Sequence, residues 1–330
     1  MLKKSKHCSR RAFLAGAAAC GATLLLPSFA ASAAENAYQQ TTLFMGTIVR
    51  IDIAGVPLSM AEDACAVAFT EGMHLERLLT RHRGDSPLGV LNSQGSLRDV
   101  PAPLETLLDM SASVHRLSGG AFDPTVLPVL QALEKTRSGH ELSASELASC
   151  REMVGFDKLE RAGGLRLMQE GMAVTLDGIA KGYIAQRMSD VLVRKGCVNH
   201  LVNAGGDIVA RGCSSAGRAW QIAVQDPAHR QAYPSVLALS GNAVATSGVY
   251  EQKFDAGGGS HLIDPASCGK LDVLRSSVIA PSGALADALA TAFSIMQPRQ
   301  AVAAAAGMPG VEVLLVMGDG YIVKSAGWPA

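Results

Sequence analysis

From residue 47 onward the apolar positions switch repeatedly between a two-residue and a three-to-four-residue spacing. Only a fold that packs helices against a sheet buries both patterns. Residues 47–53 alternate like a strand, and residues 60–79 repeat like a helix. A second helix is expected over 103–117, stopped by Gly119-Gly120. Residues 173–176 read as a short strand, which Asp177-Gly178 turn into a helix over 179–194 that Gly196 closes. Strands are expected at 200–202 and 208–210 around the Gly205-Gly206 turn, and again at 220–224 and 276–280. Ser282 caps a helix running to Met296, and 311–317 with 321–324 form a terminal hairpin. The expectation is α+β: a mixed sheet with flanking helices.

The first 33 residues stand outside that pattern. Lys3, Lys4, Lys6, Arg10 and Arg11 precede an apolar, small-residue stretch, and Ala31-Ser32-Ala33 has the small-residue character of a cleavage site. Ser9-Arg10-Arg11-Ala12-Phe13-Leu14 resembles the twin-arginine export signal. The expected organisation is therefore a signal peptide over 1–33 and one domain over 34–330, with no repeat or linker to divide it. The expected location of the mature chain is then the periplasm, where it could associate peripherally with the membrane. A formal net charge of zero argues against a nucleic-acid surface. Five cysteines follow the signal, an odd number without CxxC spacing, so buried thiols are expected rather than a disulfide framework or zinc site.

Four constellations could carry chemistry. In Asp177-Gly178-Ile179-Ala180-Lys181-Gly182-Tyr183 a strand-to-helix turn aims unpaired N–H groups and Lys181 at an anion such as a phosphate. Asp287 and Thr291, four residues apart on one helix, offer two hard oxygen ligands on one face, as magnesium prefers; a capping role for Asp287 is the plainer alternative. The run Gly257-Gly258-Gly259-Ser260-His261-Leu262-Ile263-Asp264-Pro265 offers a histidine with an aspartate three residues on, either an acid/base pair or a solvated loop. Gly119-Gly120-Ala121-Phe122-Asp123-Pro124-Thr125 presents an aromatic and a carboxylate at a rigid bend, or simply ends a helix. No GxGxxG, HExxH or GxSxG motif occurs, and residues 212–219 miss the P-loop at their last two positions.

Seven blocks in order resemble the ApbE family, the FAD:protein FMN transferases. They are Met45-Gly46-Thr47, Gly120 to Thr125, Asp177 to Tyr183, Val202-Asn203-Ala204-Gly205-Gly206-Asp207, Ala245-Thr246-Ser247-Gly248, His261 to Pro265, and Ala286-Asp287-Ala288-Leu289-Ala290-Thr291. The resemblance implies one α+β domain with an FAD groove and a magnesium site. It implies transfer of FMN through a phosphoester bond to a Thr or Ser of an acceptor protein, with AMP released. Site roles follow residue by residue. Gly178 through its carbonyl, Asp287 and Thr291 would hold Mg2+; Met45, His82, Ala121, Phe122, Asp123, Thr175, Lys181 and Ile263 would line the FAD groove; His261 and Lys181 would be catalytic. An exported member is expected to act on a redox partner carrying a Thr/Ser flavinylation motif, such as a component of a sodium-pumping quinone reductase or of nitrous-oxide respiration.

Some positions depart from the family pattern. His82 stands where many members carry a flavin-stacking tyrosine, Ala266-Ser267-Cys268-Gly269 replaces an Arg-Thr-Gly loop, and Gln186 and Val249 replace aspartates. Two other activities would use the same residues: hydrolysis of FAD to FMN and AMP, or flavin carriage without turnover.

Overall fold

The computed structural model describes residues 37–136, 141–225, 233, 235–248, 262–267 and 271–329. The expected signal segment, His261, Val249 and Cys268 lie outside the described residues.

Strands β1 (Ala37–Phe44), β2 (Thr47–Ala54), β6 (Asn199–Ala204), β7 (Asp207–Arg211), β10 (Ala243–Gly248), β11 (Val273–Ala280), β12 (Glu312–Met317) and β13 (Ile322–Lys324) form one sheet in that spatial order. Its ladders are antiparallel. Strands β3 (Ser96–Leu97), β4 (Leu159–Glu160) and β5 (Leu165–Leu167) make a small second sheet, and β8 (Trp220–Val224) with β9 (Ser235–Leu239) a two-stranded ribbon. The α-helices are α1 (Leu58–Leu79), α2 (Pro87–Gln94), α3 (Ala102–Leu117), α4 (Leu127–Thr136), α5 (Ala144–Glu152), α6 (Ala180–Arg194), α7 (Gly283–Ile295) and α8 (Pro298–Ala306). The chain is thus α+β.

The two-residue period of the strands divides the core between the faces of the large sheet. Val202, Val209, Ala245, Val278, Val313 and Leu315 join the principal cluster with α1, α6 and α7. Their neighbours in sequence, Leu201, Ile208, Val244, Ile279 and Leu314, pack on the opposite face against Ile222, Leu237 and Trp328. Helix α7 is buried nearly all round, and its alanines let it lie close to both the sheet and α6.

One expected strand differs. Residues 173–176 join no ladder. The Val174 N–H donates to Asn92 Oδ1 at 2.7 Å, its carbonyl accepts from Asn92 Nδ2 at 2.8 Å, and the Thr175 N–H donates to the Pro124 carbonyl at 2.8 Å. A side chain and a loop thereby satisfy backbone groups that a neighbouring strand would otherwise pair. Cys65 and Cys197 are buried free thiols as expected; Cys150 and Cys213 are free and half-buried. Among the described residues no helix is long and apolar enough to cross a membrane.

Candidate functional site

The site forms where two helices begin. Helix α6 starts at Ala180, yet Ile179 at its N-cap has no side chain able to accept an N–H. The acceptor comes from α7: the Gly182 N–H donates to Asp287 Oδ2 at 2.9 Å. Such close approach requires glycine on both helices, because a Cβ on Gly182 would overlap the Gly283 carbonyl and one on Gly283 the Gly182 carbonyl. Helix α7 has its own caps. Ser282 Oγ accepts from the Leu285 N–H, and Gln186 Oε1 accepts from the Gly283 N–H at 3.1 Å. Gln186, one of the departures from the family pattern, therefore closes the α6–α7 junction. The positive ends of both helices meet at one place.

Lys181, on the first turn of α6, forms an ion pair with Asp207 at the start of β7, and its Nζ lies 3.9 Å from Asp287 Oδ1. Asp207 and Asp287 are each 2 % exposed. Burial, and then the Asp207 carboxylate, push Asp287 up to about 7, against the opposing pull of Lys181 and the Gly182 N–H. Beside it Thr291 Oγ1 lies 3.3 Å from Ser247 Oγ and makes a long contact of 3.5 Å to the Gly178 carbonyl. Gly178, Asp287 and Thr291, which the resemblance implied as cation ligands, and Lys181, which it implied in the FAD groove, thus lie close to one another.

The remaining groove candidates surround that cluster unevenly. A Cβ at Gly178 would lie 2.9 Å from Thr291 Oγ1 and 3.4 Å from the Phe122 ring, so Phe122 packs beside the turn. Thr175 Oγ1 accepts from the Asp177 N–H at 3.1 Å and shapes the same turn. Met45 and Gly46 form the β1–β2 hairpin turn with φ of 54° and 67°, and the adjoining Thr47 packs on Gly205, two residues before Asp207. Ala121 is half-buried at the head of the 121–125 bend. Asp123 has a scaffold role: Oδ1 accepts from the Thr125 N–H and hydroxyl at 2.8 and 2.6 Å, and Oδ2 from the Phe156 N–H at 3.2 Å. Ile263 belongs to a satellite core with Leu127, Leu130 and Ala173. His82 is exposed, and its backbone N–H donates to Thr80 Oγ1.

Three contributors were not singled out in the sequence. Asp207 is the partner of Lys181, a pairing 26 residues apart that no local spacing encodes. Arg81 donates to Asp177 at 2.7 Å and to Glu134 at 3.1 Å, fastening the turn that presents Gly178. Ser247 touches Thr291. Asp207 and Ser247 do lie inside blocks that matched the family, which was the available signal. A cavity of about 320 Å3 between α4 and α5, lined by Ala132, Lys135, Leu142 and Cys150 among others, includes none of these groups.

Asp287, Thr291 and the Gly178 carbonyl form an all-oxygen donor set, the chemistry that suits magnesium. Among the described residues no three His, Cys, Asp or Glu come together. A cation here would be held by hydroxyl and carbonyl oxygens, one carboxylate and its own waters.

The ApbE family pattern matches residues 45–315. The chain is 25% identical over 332 residues to the FAD:protein FMN transferase of Salmonella typhimurium, across 93% of this chain and 94% of that protein. It is 30% identical over 319 residues to the FAD:protein FMN transferase of Treponema pallidum, across 88% and 87% of the two chains. Among solved structures, the flavin transferase ApbE of Vibrio cholerae superposes with a TM-score of 0.77 at 26% identity, over 88% of this chain and 98% of that one. The ApbE protein of Thermotoga maritima gives 0.80 at 25% identity, over 88% and 97%. With the fold, the order of the blocks and the clustered residues all in agreement, the chain belongs to the ApbE family.

Proposed function

We propose that this protein is an FAD:protein FMN transferase that uses magnesium and attaches FMN to a Thr or Ser hydroxyl of an acceptor protein through a phosphoester bond. The observation that carries the proposal is the meeting of two helix N-termini, Lys181 and the Asp287–Thr291–Gly178 oxygen set at one point. Positive charge for a pyrophosphate and hard oxygens for a cation are then adjacent.

In the reaction the acceptor hydroxyl oxygen bonds to the flavin-side phosphorus, the bond from that phosphorus to the bridging oxygen breaks, and AMP departs with that oxygen. Magnesium, when bound, supplies charge neutralisation at the pyrophosphate. Lys181, held by Asp207, faces the developing charge from the start of α6, where the positive ends of both helices add to its field. His261, which lies outside the described residues, takes the hydroxyl proton in this reading, a role that rests on the family resemblance. Met45, Ala121, Phe122, Thr175 and Ile263 shape the groove, while His82, exposed, offers an imidazole in place of an aromatic stack.

Export through the twin-arginine route and work in the periplasm, in peripheral association with the membrane, complete the proposal. Its support is the Arg10-Arg11 pair before the apolar stretch. The acceptor class is a redox protein such as a quinone reductase or nitrous-oxide respiration component.

AMP release from FAD, followed chromatographically with and without magnesium and an acceptor domain, tests the activity. Release that requires both supports transfer. Equal release without acceptor points to hydrolysis, and no release points to flavin carriage.

A further inference from the structure

On β10 and β11, Ser247 and Ser276 are directly opposite one another in an antiparallel ladder, and such partners project to the same face. That face is the one beneath α7, because Ser247 Oγ lies 3.3 Å from Thr291 Oγ1. The neighbouring residues confirm the assignment. Ala245 and Val278, two residues away on each strand, belong to the helix-side core. The intervening pair, Thr246 and Ser277, bond to each other at 2.9 Å on the opposite face.

Ser276 is fully buried, and its hydroxyl has no hydrogen-bond partner among the described residues. A buried hydroxyl is costly to leave unpaired, and native structures nearly always supply a partner, often an ordered water. This one lies in the strand position opposite a serine that touches Thr291. Magnesium retains several waters when bound by few protein ligands, so a water held between the sheet and the cation would pair the hydroxyl.

We propose that Ser247 and Ser276 form an outer shell of the cation site: Ser247 orients the Thr291 hydroxyl, and Ser276 hydrogen-bonds a water of the cation's hydration sphere. This rests on the magnesium reading above. Both serines are positioning residues, acting on the cation through Thr291 and through water.

The test is calorimetric titration of the full chain with magnesium, using the wild type, Ser276→Ala, Ser276→Cys, Ser247→Ala and Asp287→Ala. Thermal denaturation without magnesium accompanies it. The expected result is a loss of magnesium affinity of about tenfold in each serine variant, in the range of outer-shell partners of metals. Ser276→Ala without magnesium should melt at or above the wild-type temperature, since no protein bond is removed. Wild-type affinity lost in Asp287→Ala but unchanged in all three serine variants would overturn the outer-shell assignment and leave the magnesium reading standing. A wild-type chain that binds no magnesium would overturn both. Ser276→Cys retains nearly the serine volume, so affinity data survive even if the alanine variant fails to fold.

Discussion

The Gly182 N–H donates a 2.9 Å hydrogen bond to Asp287 Oδ2, so a residue of α7 caps the first turn of α6. The carboxylate expected to hold a cation is therefore also a structural cap. Asp287→Asn separates the two roles, because an amide oxygen still accepts from Gly182 while the charge is gone. Transfer should fall by about 100-fold or more, with a melting temperature in the absence of magnesium at or above the wild type. Asp287→Ala should lose activity equally and also forfeit the cap, an interaction of about 1 kcal/mol. Rates from AMP release, set beside thermal melts of the two variants, check the distinction.

Gly182 and Gly283 allow the two helix ends to touch. Gly182→Ala would drive a methyl group into the Gly283 carbonyl and force α6 and α7 apart. The expected cost is about 2 kcal/mol or more, together with loss of activity as Lys181 and Asp287 separate. Urea denaturation measures it; an unchanged midpoint would show that the helices are less tightly engaged.

Arg81 joins three segments: its own loop after α1, Asp177 in the site turn, and Glu134 on α4. Its side chain is only 11 % exposed, and a lysine has no planar fork to reach both carboxylates. Arg81→Lys should slow turnover by about tenfold through misplacement of the Gly178 turn. The effect should fall mainly on kcat at saturating FAD, with little change in the melting temperature, as steady-state kinetics and a thermal melt would show.

His200 provides a pH test away from the site. It is fully buried; its Nδ1 is 2.6 Å from the Cys197 carbonyl, which can only accept, so Nε2 at 2.7 Å accepts from the Ser189 hydroxyl. Burial, the largest cause, pushes the imidazole down to about 4. The unfolded chain takes its proton near the ordinary 6.5, so between those values the unfolded state binds more protons and acid favours unfolding. The contribution is complete above about pH 6.5 and drains away toward pH 4, on the order of 3 kcal/mol in all. Urea midpoints from pH 7 to pH 4.5 should fall along this slope, and His200→Asn, though weaker at neutral pH, should lack that component.

The sequence revealed the elements whose signals are local. The Ser282 cap, the Gly119-Gly120 stop and the shared helix face of Asp287 and Thr291 are all present in the structure. What it hid depends on contacts between distant segments. Residues 173–176 have a strand's composition, but Asn92 and Pro124 satisfy their backbone. The edge strand β1 was missed because Gln39, Gln40, Thr41 and Thr42 interrupt any apolar alternation. Lys181 could be read as an anion ligand, yet its anchoring by Asp207 depends on how the β6–β7 hairpin stacks beside α6. Asp123 could be read as a carboxylate at a rigid bend, and its bonds to Thr125 and Phe156 appear only once those segments fold together.

The most direct test of the central claim is the intact mass of an unmodified candidate acceptor domain after incubation with this protein, FAD and magnesium. The predicted result is a mass increase of one FMN phosphoester, absent without magnesium and absent with Asp287→Asn. An acceptor modified equally well without magnesium, or by the Asp287→Asn protein, would contradict a cation-dependent transfer centred on Asp287.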